Sequence, residues 1–237
     1  MRAQLRVARV TRARAGRFAP GETARVSGSA CLESLPTLGA RGYGAATVER
    51  NHPTHLPLVL LTLFVLLGVA LGIAPHHRQD WLLENALAVA GVLVLVLSWK
   101  RFPLSRLSYV LIFAFLVLHE VGAHYTYAEV PYDEWFRALT GHTLNERMGW
   151  ERNHYDRLVH FSYGLWLAYP LRELFVRVAD ARGFWGYVLP LDLVMSTSMV
   201  YELIEWAAAE FFGGELGAAY LGTQGDVWDA QKDMALA

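Results

Sequence analysis

The stretch that decides the fold is PLVLLTLFVLLGVALGIA, residues 57–74, in which no side chain is charged. A helix rises about 1.5 Å per residue, so crossing the ~30 Å hydrocarbon core of a bilayer takes about 20 such residues. A helix of a soluble bundle would instead show polar residues every 3.6 positions, and this run and the next two lack that pattern. The stretch therefore predicts a membrane-spanning helix.

Further hydrophobic runs follow the first, and they predict an all-α fold, a polytopic transmembrane helical bundle. These runs lie near residues 81–99, 104–121, 158–176 and 184–208. The segment 226–237 has the pattern of the opening turns of one more helix. We therefore expect five spans within the given sequence and a truncated sixth, with the transmembrane domain covering residues 56–237.

The N-terminal residues 1–50 differ in composition from the rest, with nine arginines, no lysine and no sustained hydrophobic period. Such a segment cannot bury enough apolar surface to offset the entropy of ordering it. About 40 residues separate its charged start from the first hydrophobic run, which argues against a secretory signal. We expect a disordered extension, a transit-type leader or a mis-assigned start. The single cysteine, Cys31, lies here, so no internal disulfide is expected to hold the fold.

Basic residues are concentrated in two of the connections between spans. Lys100, Arg101 and Arg106 flank the second connection, and Arg172, Arg177 and Arg182 flank the fourth. The positive-inside rule assigns both connections and the arginine-rich N-terminus to the cytoplasm. The loop 76–80 and the segment 124–156 are then expected on the outer side. The sequence thus predicts a multi-pass membrane protein with a cytoplasmic N-terminus.

This topology brings ionisable residues from separate helices to the outer side of the membrane. They are His119, Glu120 and His124 of the third span, Asp156 and His160 of the fourth, Glu202 and Glu205 of the fifth, and Asp226, Asp229 and Asp233 of the last segment. Spacings of three and four residues put the members of a pair on one helix face. Ionisable side chains cost at least ~2.5 kcal/mol near the bilayer centre, so they usually face a bundle interior. We expect a shared polar cluster.

Three interpretations of this cluster remain open. In a divalent metal site, imidazoles and carboxylates are ligands and water takes an open position; the candidate ligands are His119, His124, Asp226, Asp229 and Asp233. In a metal-free site, His160 is a base oriented by a carboxylate; the candidate catalytic residues are His160, Asp156, Glu202 and Glu205. In the third, Arg152 and Arg157 neutralise the acids and tie the helix ends together.

The two histidines of the third span constrain the metal interpretation. His119 and His124 are five residues apart and point in different directions on a helix. Both can serve one site only if the helix unwinds between them, which Gly122 would permit. The sequence also contains no HExxH motif or other specific ligand pattern.

Two classes of function follow from these interpretations. The motifs favour a structural or transport-related envelope protein in which the cluster is an internal polar lock. The alternative is a membrane-embedded enzyme, with or without a divalent metal, that acts on a lipid or cell-envelope precursor. The expected partners are the lipid bilayer and such a ligand. The net charge of −1 gives no argument for nucleic acid, and the sequence does not specify an oligomeric state.

The sequence resembles a known family in several strings between residue 56 and its end. The chain is similar to the bacterial YjdF-type inner membrane proteins in DWLLEN (80–85), RNHYDRLVHF (152–161), YELIEWAAAE (201–210) and YLGTQGDVWDAQKDMALA (220–237). The resemblance implies a multi-spanning protein of the bacterial inner membrane whose chain continues into a further hydrophobic helix, and it does not specify a reaction. A weaker likeness connects DRLVHF and the glutamates after it to the VanZ-like membrane families, with Arg157 and Glu205 in place of lysine and glutamine.

Overall fold

The computed structural model describes residues 55–214, 217 and 221–237. The helices, in chain order, are α1 (His55–Gly72), α2 (Arg78–Ser98), α3 (Arg106–His124), α4 (Tyr132–Thr140), α5 (Leu144–Met148), α6 (Tyr155–Val178), α7 (Trp185–Phe212) and α8 (Asp229–Leu236). No strand occurs in these ranges, so the all-α prediction is confirmed for the described part of the chain. The predictions for residues 1–50 lie outside it.

Four of the helices are long and apolar enough to cross a membrane: α1, α2, α3 and α7. They coincide with the first, second, third and fifth hydrophobic runs. The α6 helix contains the fourth run and is 24 residues long, but it carries charged residues at both ends and is not among the four. Even in α3, the best covered of the four, only 28% of the apolar window is buried by protein. Such extensive apolar exposure is suited to contact with lipid.

The α6 helix lies between α3 and α7 and runs antiparallel to both. At its start, the Tyr155 hydroxyl donates to the Leu118 carbonyl late in α3 (3.0 Å). Towards its middle, Tyr163 and Thr197 of α7 share a hydroxyl–hydroxyl hydrogen bond of 2.6 Å. The α1 helix packs along the other side of α3, and α8 contacts α6 and α7. The α6 helix is therefore central to the packing of the described helices.

The two ends of the bundle differ in charge. We call the end with Asp80, Glu84, Asp156 and Glu202 the acidic end, and the end with Lys100, Arg101 and Arg106 the basic end.

At the basic end, Glu173 joins α6 to the start of α3. Its carboxylate accepts hydrogen bonds from the Ser105 amide (2.9 Å) and the Ser108 hydroxyl (2.6 Å). Arg177, one turn further along α6, donates to the same carboxylate (2.7 Å) and to the Pro103 carbonyl (2.6 Å). Glu173 thus has its hydrogen-bond partners within the protein.

At the acidic end, a tight turn follows α3 and carries a small apolar core. Thr126 and Tyr127 both have left-handed backbone angles (φ 56° and 50°), a conformation that is uncommon for residues other than glycine. The turn folds the Tyr127 ring against Gly122, where a Cβ atom would lie 2.5 Å from a ring carbon. Ala123, Val130 and Val159 pack around this tyrosine. Glycine at position 122 therefore makes room for the Tyr127 ring, which a larger residue would displace.

The α8 helix begins within the segment predicted to open a further span. It packs on α6 and α7 at the acidic end, and its Asp229 and Asp233 are buried. The expected five spans and the expected sixth span both stay predictions.

Replacing Gly122 with alanine is expected to lower thermal stability, because the new Cβ would displace the Tyr127 ring; overpacking of this kind typically costs about 1–3 kcal/mol. Detergent-purified protein is heated, and the measured quantity is the temperature at which half of its monodisperse peak has been lost. Gly91→Ala is the matched control, since a Cβ at helical Gly91 meets no atom within 4 Å. Equal midpoints for the two variants would show that the Tyr127 contact is unimportant.

Candidate metal and acid–base site

The α6 helix brings two ionisable side chains to the acidic end on the same face. Asp156 and His160 are four residues apart, and Asp156 Oδ1 lies 3.6 Å from His160 Nε2. Asp233 of α8 completes a group with them, in which one potential ligand atom from each residue lies within 4.8 Å of the others. His160 and Asp233 are 8% and 2% exposed, so the group is largely shielded from solvent.

The α7 helix adds two carboxyl groups beside this group. Glu202 Oε1 lies 3.3 Å from His160 Nε2. Glu205, one turn later on α7, lines a crevice together with Asp156. The predicted grouping of His160, Asp156, Glu202 and Glu205 is therefore present in the structure, although no observation tests the catalytic role assigned to it.

The start of α2 contributes two acids that the sequence analysis did not include in the cluster. Asp80 and Glu84 are 1% and 2% exposed, and the Glu84 carboxylate accepts a short hydrogen bond from the Tyr201 hydroxyl. Their contribution could have been predicted from the topology, because the topology put the start of the second span on the same side as the cluster. A narrow crevice lies between these acids and the others; it is lined by Asp80, Glu84, Thr126, Tyr127, Asp156, Glu205, Leu221 and Gly222.

Two arginines bind the segment before α8 to the start of α6. Arg152 makes a bidentate contact with Asp229 (2.6 and 3.0 Å) and also donates to the Thr223 carbonyl (3.0 Å). Arg157 contacts Asp226 (2.6 Å) and Asp229 (3.1 Å). Bidentate arginine–carboxylate pairs are among the stronger polar contacts in proteins. The predicted neutralisation of acids by Arg152 and Arg157 is thus observed for Asp226 and Asp229.

Asp226 has a second cationic neighbour, since the Lys232 ammonium lies 2.5 Å from its carboxylate. The hydrogen bond from Lys232, followed by the Trp228 amide and Arg157, holds the pKa of Asp226 well below its usual range. A lowered pKa means that this carboxylate stabilises the fold above its ordinary pKa, and that the contribution is lost only at strongly acidic pH. Asp226 therefore stays ionised near neutral pH and keeps its ion pairs with Arg157 and Lys232.

The histidines of α3 do not join the group around His160. His119 Nδ1 and the Tyr127 hydroxyl form a hydrogen bond of 2.6 Å. His124 Nδ1 instead contacts the Leu71 carbonyl of α1 (2.7 Å). The helix continues without interruption to His124, so the unwinding at Gly122 that would let both histidines serve one site does not occur.

The acidic end contains more acids than basic partners. Among the described residues, Asp80, Glu84 and Glu205 form no ion pair, and Asp156 and Glu202 pair only with His160. Oδ1 of Asp233 has no hydrogen-bond partner in the described ranges, and the nearest cationic atom is Arg157 Nε at 4.0 Å. Buried carboxylates need compensation by protons, basic groups or a metal ion. This cluster could therefore hold a cation.

Fold and site together define an integral, multi-spanning helical membrane protein with an acidic polar centre. Comparison with known families agrees, because residues 56–237 match the model of a family described as "Predicted membrane protein (DUF2238)". The chain is similar to the Escherichia coli (strain K12) inner membrane protein YjdF, with 39% identity over 188 residues, 78% of this chain and 86% of the relative. No solved structure matches the chain.

The chain belongs to this family, and the family assignment made from the sequence is confirmed. Its location in the inner membrane follows from the relative and from the apolar helices. The likeness to VanZ-like families stays a prediction.

Replacing Arg152 with glutamine should destabilise the packing of α8. The change removes the bidentate partner of Asp229, whose side chain is 5% exposed. Because Arg157 still contacts this carboxylate, the expected cost is about 1.5–3 kcal/mol, the range for a hydrogen bond to a charged group. The check is the free energy of unfolding of detergent-purified protein. Arg182→Gln, which removes an ion pair with Asp180 that is 78% and 75% exposed, should change it by less than about 1 kcal/mol. Similar losses in both variants would contradict an anchoring role for Arg152.

Proposed function

We propose that this protein is a membrane-embedded, metal-dependent hydrolase that acts on a lipid-linked or cell-envelope precursor at the outer face of the membrane. The observation that carries the proposal is the approach of Asp156, His160 and Asp233 to within 4.8 Å of one another. Catalytic zinc sites typically use three protein ligands and keep an open position for water. A mixed set of carboxylates and one imidazole suits a divalent cation.

Glu202 is the general base in this proposal. It lies beside His160 and is not one of the three candidate ligands, which leaves its carboxylate for proton transfer. A divalent metal would supply Lewis acidity and lower the pKa of a bound water. Glu202 takes a proton from the attacking water and returns it to the oxygen or nitrogen of the leaving group, which balances the hydrolysis.

The distribution of polar groups favours an enzyme over a transport protein or a polar lock. The lock interpretation accounts for Asp226 and Asp229, which use Arg152 and Arg157. Within the described part of the chain, however, it gives Asp156 and Glu202 no basic partner other than His160 and gives Glu205 none. A transport pathway would need polar groups across the whole bilayer. At the basic end, however, Glu173, Ser105 and Ser108 bind one another.

The proposal includes a topology in which α6 is a fifth span. A helix of 24 residues is about 36 Å long, and α6 packs antiparallel along α3 and α7, which are both apolar enough to cross a membrane. The basic end then faces the cytoplasm under the positive-inside rule. The acidic cluster lies in the outer half of a single transmembrane domain of residues 56–237, with the N-terminus cytoplasmic.

Single cysteines should report this topology in a Cys31→Ser background. His142→Cys, between α4 and α5, should react with a membrane-impermeant maleimide in intact spheroplasts. Arg182→Cys, between α6 and α7, should react only after permeabilisation, because α6 separates the two positions. Labelling of both positions from the same side would rule out α6 as a span.

Zinc binding tests the proposed centre directly. Purified full-chain protein, stripped with EDTA and titrated with Zn²⁺, should bind one equivalent per chain. His160→Ala and Asp233→Asn should each weaken binding by at least about 100-fold, since a lost ligand costs more than the 10–100-fold typical of outer-shell changes. Glu134→Gln, which neutralises an exposed acid of α4, is the matched control and should bind as the unmodified protein does. Absence of saturable binding would leave the polar-lock interpretation in its place.

The variant Glu202→Gln separates metal binding from catalysis. The variant should retain zinc and lose about 10²–10⁴-fold in rate, the range that general base catalysis contributes. Turnover is followed by mass spectrometry of an inner-membrane lipid extract incubated with the zinc-loaded protein. Equal turnover by the Glu202 variant would contradict its role as base.

A further inference from the structure

A second cavity lies far from the acidic cluster, between α1, α2 and α3 near the basic end. It is partly open, and its empty volume of about 480 Å³ includes space outside the protein surface. Its lining is apolar and aromatic and includes Leu61 and Phe64 of α1, Val92 and Trp99 of α2, and Tyr109 and Phe113 of α3.

The cavity arises because α1 and α2 diverge. The two helices meet at the acidic end, where the Trp81 ring lies so close to Gly72 that a Cβ there would be 2.8 Å from a ring carbon. Further along, α1 packs on α3 while α2 makes fewer contacts. The buried residues of α2 are Asp80, Glu84 and Asn85, all near its start. The half of α2 nearest the basic end is therefore separated from α1 by a gap.

Exposed basic residues surround the connection at this end of the cavity. Lys100 directly follows the lining residue Trp99, and Arg106 lies three residues before Tyr109, on the same side of α3. Lys100, Arg101 and Arg106 form no ion pair with any residue that the structure describes. Arg177 nearby differs, because Glu173, Pro103 and the Phe102 ring already occupy its guanidinium group.

We propose that this cavity is a binding site for an anionic phospholipid. One acyl chain lies between α1 and α2, and the phosphate contacts Lys100, Arg101 and Arg106. Clusters of basic residues at the cytoplasmic ends of transmembrane helices recognise acidic headgroups, and a zwitterionic headgroup lacks the net charge that they attract. The site is independent of the proposed metal centre, since it uses none of the same residues.

Lipid retention measured by native mass spectrometry tests this site. The full chain is released from nanodiscs of equal parts phosphatidylglycerol and phosphatidylcholine, and the retained lipids are counted. The unmodified protein should retain one phosphatidylglycerol in preference to phosphatidylcholine. The triple variant Lys100→Gln/Arg101→Gln/Arg106→Gln should lose this preference by at least about tenfold, since each basic residue contributes severalfold.

Two comparisons make the result specific. The variant Arg137→Gln/Arg147→Gln/Arg182→Gln removes the same charge from other exposed positions and should keep the preference. Leu61→Trp, which fills the cavity, should reduce retention of both lipids. If the triple variant fails to fold, the preference of the unmodified protein should still decline as salt is raised, because exposed charges are screened. Equal retention of the two lipids by the unmodified protein, or equal loss in the two triple variants, would overturn the proposal.

Discussion

A helix that brings Asp156, Arg157 and His160 into a bundle of lipid-facing helices needs partners for these groups. Asp156 lies beside His160 on α6 itself, and the other partners come from α7 and from the chain around the start of α8. Glu202 approaches His160 from α7, while Asp226 and Asp229, which precede and begin α8, bind Arg157. Ionisable groups at membrane depth are tolerated only when they face protein or water. The central position of α6 between α3 and α7 follows from this requirement, and so does the docking of α8 against it.

The acids at the acidic end fall into two groups with different neighbours. Asp226 and Asp229 contact arginines and hold the chain near α8 in place. Asp156, Glu202 and Asp233 surround His160 instead. The first group stabilises the fold through pairs of opposite charge. In the second group, acidic groups outnumber basic ones in a shielded location, and such an arrangement is a feature of functional sites with perturbed proton affinities.

Much of the fold was predictable because long apolar runs have few alternatives to spanning a membrane. The helices α1, α2 and α3 coincide with predicted runs, and helical spacing correctly paired Asp156 with His160. The contribution of Asp80 and Glu84 could have been found from topology alone. Tyr127 could not, because its placement depends on left-handed angles at two residues that carry no sequence signal for them. Nor does spacing reveal that His124 binds a carbonyl of α1.

The attachment of α2 has a mechanical consequence. Its buried residues are confined to the first turns, and Glu84 joins it to Tyr201 of α7 there, so the rest of the helix is supported mainly by lipid. Hydrophobic mismatch can be accommodated by helix tilting, and packing against neighbouring helices sets the tilt. A change in bilayer thickness would therefore be absorbed by α2 pivoting about its first turns, while the tightly packed α3, α6 and α7 keep their relative positions.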